Sequence, residues 1–241
     1  MKKLLTCCVI TLVFGGLSVQ ASTVFVTPVG SVNPMAPGES VSAKATFTFS
    51  NGGFSILLEN LQPMHAVGNL LTDLEFALST TAPVTLASTS TTTVRVANDG
   101  SLTDVNNNVG AGWDFGPYNG HLIICAICPV SVGSGNDNGI LGPGDGTGTP
   151  YSGANSSITG TGGDQHEPFD YLSATFTFTG ASITENTAVS NVIFSFGSEF
   201  GTDVTGTRAC DTVVPEPASL LLAGGALAGL GLVKRKKEYR R

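Results

Sequence analysis

Strict alternation of apolar and hydroxyl side chains in Ala45-Thr46-Phe47-Thr48-Phe49-Ser50 constrains the fold of this chain more than any other feature. A pattern of period two puts Phe47 and Phe49 on one face of an extended strand and the hydroxyls on the other, whereas a helix would scatter them around its circumference. Nearly the same hexamer returns at Ala174-Thr175-Phe176-Thr177-Phe178-Thr179. The flanks of the two copies do not align, so shared strand chemistry rather than duplication accounts for the repeat. Further strands are expected at 23–27, 54–59, 74–78, 92–97, 122–127 and 191–196, separated by Gly, Asn and Pro. No window between residues 22 and 212 carries helical periodicity over three turns. Many short strands with loop-rich joins predict an all-β domain over 22–212, an antiparallel β-sandwich of jelly-roll or immunoglobulin-like kind.

The two ends of the chain differ from this middle. Lys2 and Lys3 precede an apolar stretch from Leu4 to Leu17, and Val19-Gln20-Ala21 offers small residues to signal peptidase. Residues 1–21 therefore read as a signal peptide cleaved after Ala21. Cys7 lies near the start of the apolar stretch, not at its end where a lipoprotein carries its acylated cysteine. At the other end, the uncharged run from Ala218 to Val233 would span about 24 Å as a helix. That falls short of a hydrocarbon core of ~30 Å, a gap that snorkelling of flanking Lys and Arg side chains closes. The basic cluster Lys234-Arg235-Lys236-Lys237 sets the C-terminus in the cytoplasm by the positive-inside rule. A single C-terminal transmembrane helix at 218–233 follows, with everything before Pro215 on the far side of the membrane. Pro215 and Pro217 keep the backbone outside the span extended and accessible.

Val213-Val214-Pro215-Glu216-Pro217, the apolar run and the basic stop together resemble the PEP-CTERM sorting signal of Gram-negative bacteria that make extracellular polysaccharide. The resemblance covers residues 213–241. It implies that Pro215, Glu216 and Pro217 form the sorting motif, that Lys234, Arg235, Lys236 and Lys237 form the stop-transfer cluster, and that an exosortase-type membrane peptidase is the partner. The chain would be anchored in the inner membrane before processing and reach the cell surface or the extracellular space after it. A structural or adhesive role at the cell surface or in the exopolysaccharide matrix of a biofilm goes with that destination. Residues 169–197 are also similar, less specifically, to the final strands of many such proteins. A permanent C-terminal anchor is the rival reading of the tail.

Without its two ends the chain changes character. Residues 22–212 hold 16 acidic residues against Lys44, Arg95 and Arg208, a net charge of −13, although the full chain carries only −7. Such a field excludes nucleic acid and anionic lipid as partners and suits divalent cations, basic partners or plain solubility. Between 131 and 163 eleven residues are Gly, which reads as a long surface excursion of the domain, with an interdomain linker as the alternative. The Thr- and Ser-dense stretch 79–94 reads as outward-facing strand residues, with an O-glycosylated segment as the alternative.

Chemistry-bearing residues are few. Cys125, Cys128 and Cys210 survive signal cleavage, and an oxidising exterior favours one disulfide among them, with the pairing unreadable. Zinc held by His121 and the three cysteines, a redox Cys125-Ala126-Ile127-Cys128 pair and free thiols are the alternatives. The apolar, strand-like context, with Pro129 next in line, does not suit a thioredoxin-type site. Calcium is the one ligand, if any, that an acidic Gly-rich β-domain invites. Gly133-Ser134-Gly135-Asn136-Asp137 and Gly144-Asp145-Gly146 are fragments of a repeat that works only in stacked copies. Asp104, Asn106 and Asn108 match the start of an EF-hand loop that then fails at Val109 and Phe115. Asp137, Asp145 and Asp104 are thus the calcium candidates, and no cofactor is otherwise expected. No nucleophile elbow or zinc-protease motif is present: His166-Glu167 continues with Pro168 and has Asp170 where a second His belongs. The expectation is a non-catalytic protein, with a carbohydrate- or calcium-binding module and then a surface hydrolase as alternatives. Expressed through the periplasm, the mature domain should contain one disulfide and no stoichiometric zinc; three titratable thiols, or one metal ion per chain in elemental analysis, would reverse this reading.

Overall fold

Alternation becomes pairing in the computed structural model, which describes residues 22–209 apart from 134, 136, 146, 147 and 161–165. The first strands are β1 (Ser22–Val26), β2 (Ala43–Ser50) and β3 (Gly53–Asn60). Strands β2 and β3 form a hairpin in unbroken antiparallel register from Ala43↔Asn60 to Ser50↔Gly53. Asn51-Gly52 makes the turn, and Gly52 takes φ +87°, which glycine enters without a Cβ penalty. The second hexamer lies in β10 (Phe169–Thr179), which pairs with the other edge of β3. Phe47, Ile56 and Phe176 therefore sit side by side on one face of three adjacent strands.

The remaining strands extend from two hubs. Strand β10 also pairs with β5 (Thr85–Val96), which carries β6 (Leu102–Val109) on its far edge. Strand β4 (Leu71–Leu78) lies between β11 (Val189–Phe196) and β8 (His121–Cys125), with β7 (Asp114–Tyr118) beyond β8. Strand β12 (Asp203–Thr205) borders β11, and β13 (Thr207–Arg208) borders β1. The two-residue strand β9 (Ile140–Leu141) joins the hubs, antiparallel to β4 and parallel to β10. The fold is all-β as expected, but this parallel pair makes the sheet mixed rather than purely antiparallel.

Packing is dominated by phenylalanine. Phe76 on β4 touches the rings of Phe47, Phe54 and Phe178 at centroid separations of 5.4, 6.1 and 6.3 Å, although β4 pairs with none of their strands. The hydrogen-bonded network thus doubles back over its own apolar face. Phe54 and Phe178 stack at 4.6 Å, and Phe115 meets Phe178 edge-on at 4.9 Å. Each such aromatic pair adds about 0.5–1.5 kcal/mol beyond the area it buries.

The Gly-rich stretch is not merely a surface excursion. It supplies β9 and the fully buried Tyr151 and Ile158, which join Met64, Leu70, Val94, Val96, Leu141 and Phe169 in a second apolar cluster. The Tyr151 hydroxyl donates to the Gly142 carbonyl at 2.8 Å, which satisfies the polar end of a buried ring. Its glycines serve close approach: a Cβ at Gly142 would overlap the Gln62 carbonyl oxygen, and one at Gly144 that of Pro150. Glycine content there reflects backbone crowding rather than a linker.

Among the described residues, no helix is long and apolar enough to cross a membrane. The expected signal peptide with Ala21, Cys210, the sorting motif, the span 218–233 and the basic cluster 234–237 lie outside them. Because Phe178 is 1% exposed and touches three other rings, Phe178→Ala should destabilise the domain by about 3–5 kcal/mol. Denaturant unfolding checks this, and a loss below ~1 kcal/mol would show that this ring cluster does not hold the layers together.

Candidate functional site

The same alternation that buries phenylalanine sends hydroxyls outward. Paired residues share a face, so the registers of β1, β2, β3, β10 and β5 set Ser22, Thr48, Ser55, Thr177 and Ser88 in one line across five strands. The next line reads Val24, Thr46, Leu57, Thr175 and Ser90. Neighbouring strands lie about 4.8 Å apart, which gives each line a width of about 19 Å. The charges in the adjoining line are Lys44 and Glu59, which neutralise each other at 2.6 Å. Leu57, 38% exposed, is the large apolar side chain on this face. In a domain with 16 acids, the charges along these lines cancel.

One end of the face is concave. An open depression of about 360 Å³ is lined by Thr48, Ser50, Ser55, Thr177 and Thr179 together with the turn residues Asn51, Gly52 and Gly53 and with Phe54 and Phe178. A Cβ at Gly53 would overlap the Phe178 carbonyl oxygen, so glycine there is required by the close approach of β3 and β10. The missing side chain leaves the line Ser50, Gly53, Thr179, Thr85 open in its middle.

A group of acidic residues lies elsewhere. On the outer face of the β4 layer, the registers align Asp203, Ser195, Asp73, Cys125 and Asp114. Asp73 is fully buried, and burial raises its carboxyl well above the usual range, with the charges of Asp203 and Glu75 pushing the same way. Ser195 opposes the shift, but its single proton goes to Asp203 Oδ1 at 2.7 Å, and neither Asp73 oxygen has a hydrogen-bond partner. Glu75 is raised chiefly by burial and then by Asp203, and its Oε2 lies 3.5 Å from His121 Nδ1. Asp170 on β10 is also enclosed and pushed up by burial to about 8, opposed in part by Trp113. Glu167 is a structural clamp: it pairs with Arg95 Nη1 at 3.0 Å and accepts the Val96 amide at 2.7 Å.

The structure places the expected chemistry as follows. Cys125 and Cys128 are joined in a disulfide, so the zinc set with His121 is not assembled; Cys210 lies outside the described residues. Asp104 and Asn108 sit on the exposed strand β6 with φ of +49° and +56°, not in a cation loop, because pairing with β5 has taken up the segment. Asp137 donates its amide to Ala126, and the Asp145 amide bonds to Pro150, so each belongs to its own loop. Among the described residues, no three His, Cys, Asp or Glu groups come together to hold a metal ion. The stretch 79–94 holds most of β5, where Ser88 and Ser90 face outward but Thr91 and Thr93 are buried, so the outward-facing reading holds for only part of it. Sequence reasoning missed the hydroxyl face. Its signal was the Thr-x-Thr pattern of both hexamers together with Ser88-x-Ser90, but only the register brings these into one surface.

Residues 213–236 match the family model of the PEP-CTERM protein-sorting motif. No curated protein and no solved structure matches the chain at a significant level. The chain is thus an all-β domain followed by a PEP-CTERM sorting motif, which implies export and sorting to the cell surface by exosortase, the membrane peptidase that recognises such tails.

The buried carboxyls give the domain an unusual pH dependence. The folded pKa of Asp170, about 8, exceeds the unfolded value of roughly 3.9. The folded state therefore binds the extra proton, and stability falls as pH rises between those values, by up to about 1.4 kcal/mol per unit. Asp170→Asn should flatten the decline of melting temperature from pH 5 to 8; an unchanged slope would remove Asp170 as its source.

Proposed function

We propose that this is an exported, non-catalytic surface protein whose β-domain serves as a structural or adhesive component of the cell surface or exopolysaccharide matrix. The tail match at residues 213–236 carries this reading. In it, the signal peptide is removed after Ala21, the run 218–233 holds the chain in the inner membrane, and exosortase acts at Pro215-Glu216-Pro217. The doubled-back sheet is then a β-sandwich of the jelly-roll or immunoglobulin-like kind, displayed outside the cell. A non-catalytic role is supported by the placement of Asp73 and Asp170, whose perturbed carboxyls are enclosed where no substrate reaches them. A carbohydrate-binding module is the second reading, favoured by the Ser- and Thr-lined depression at Gly53.

Replacing Pro215, Glu216 and Pro217 with alanine should leave secretion intact but hold the chain in the inner membrane with its tail attached. Cell fractionation and intact-mass measurement read this out. Normal maturation of the triple variant would reduce the tail to a simple anchor.

A further inference from the structure

We infer that the hydroxyl face of β1, β2, β3, β10 and β5 binds an uncharged polysaccharide, laid across the strands and seated at the Gly53 depression. This rests on the reading of the domain as a surface protein with a carbohydrate-binding face and names the ligand class for that face. Charge decides between occupants. A surface for a polyanion would present cations, yet Lys44 is the cation in these registers and Glu59 neutralises it at 2.6 Å. A surface for a cationic partner would present an unneutralised acid, yet Glu59 is the acid in these registers and Lys44 pairs with it. A protein partner would need buried aromatic or aliphatic anchors at the centre. Leu57, 38% exposed, is the large apolar group there.

What the face offers is a lattice of donors and acceptors. Each Ser or Thr hydroxyl gives one proton and accepts two, which matches the hydroxyls of a sugar in both roles. The threonine methyls supply small apolar contacts between them. A line of five hydroxyls about 19 Å wide is larger than one sugar ring, so the ligand is a chain and not a monosaccharide. No aromatic side chain lies in the two central lines, so affinity comes from many weak contacts acting together. Binding is accordingly insensitive to salt, since no ion pair forms on contact.

The test uses the full chain purified in mild detergent. Dextran and cellulose are the neutral probes, alginate is the polyanionic one, and glucose is the competitor. Retention on a neutral probe should persist at high salt, resist glucose, and exceed retention on alginate. The triple variant Thr48→Val, Ser55→Ala, Thr177→Val should bind at least tenfold more weakly while melting normally, whereas Thr103→Val on β6 should bind as the parent does. Thr177→Lys adds a cation to the face and should shift preference toward alginate, a gain that loss of folding cannot mimic. Binding to alginate alone, no retention on either neutral probe, or equal binding by the triple variant would overturn the inference. Tail processing of the same variants is scored separately. Normal processing without glycan binding sinks the ligand assignment alone, and glycan binding with failed processing sinks the sorting reading alone.

Discussion

The phenylalanine contacts between β4 and the β2, β3 and β10 group hold everything else in place. Phe76 reaches three rings on strands with which it shares no backbone hydrogen bond, so side-chain packing alone registers one layer against the other there. A period-two chain cannot satisfy this interior without committing its other face. Once Phe47, Phe49, Phe176 and Phe178 point inward, Thr48, Thr175, Thr177 and Thr179 must point out. The candidate binding face is the geometric complement of the core, and a slip of one residue in β2 or β10 would destroy both together.

Legibility in the sequence followed the same logic. The strands β1, β2, β3, β4, β8, β10 and β11 fall where alternation or apolar runs placed them, because both faces of each strand have clear chemical character. Strand β6 did not, because Leu102–Val109 is exposed along most of its length and its Asn residues look like a loop; pairing with β5 rather than burial makes it a strand. Strand β9 was hidden for the opposite reason. Ile140 and Leu141 are fully buried, but two residues are too few for any period, and the surrounding glycines, which permit backbone crowding, imitate flexibility. The hydroxyl face was written in the hexamers yet invisible as a surface, since register between Thr177 and Ser88 is a long-range property.

Two kinds of polar investment separate within the domain. Hydroxyls sit outside on a neutral plane, whereas the perturbed acids Asp73 and Asp170 are shut inside without hydrogen-bond partners for their carboxylate oxygens. A neutral carboxyl costs much less to enclose than a charged one, and burial itself pushes both groups toward the protonated form. The high formal negative charge of the sequence therefore overstates the charge that the folded domain shows to solvent.

The pairing of β1 with β13 has a mechanical meaning. Phe25 and Val26 meet Arg208 and Thr207 in a ladder of two pairs, next to Ala209, the last described residue. A pull applied at Ala209 would load this short ladder before the ring cluster between the layers. Each residue freed would add up to about 3.5 Å of slack, so the β13 edge would lengthen before the ring contacts between the layers are disturbed.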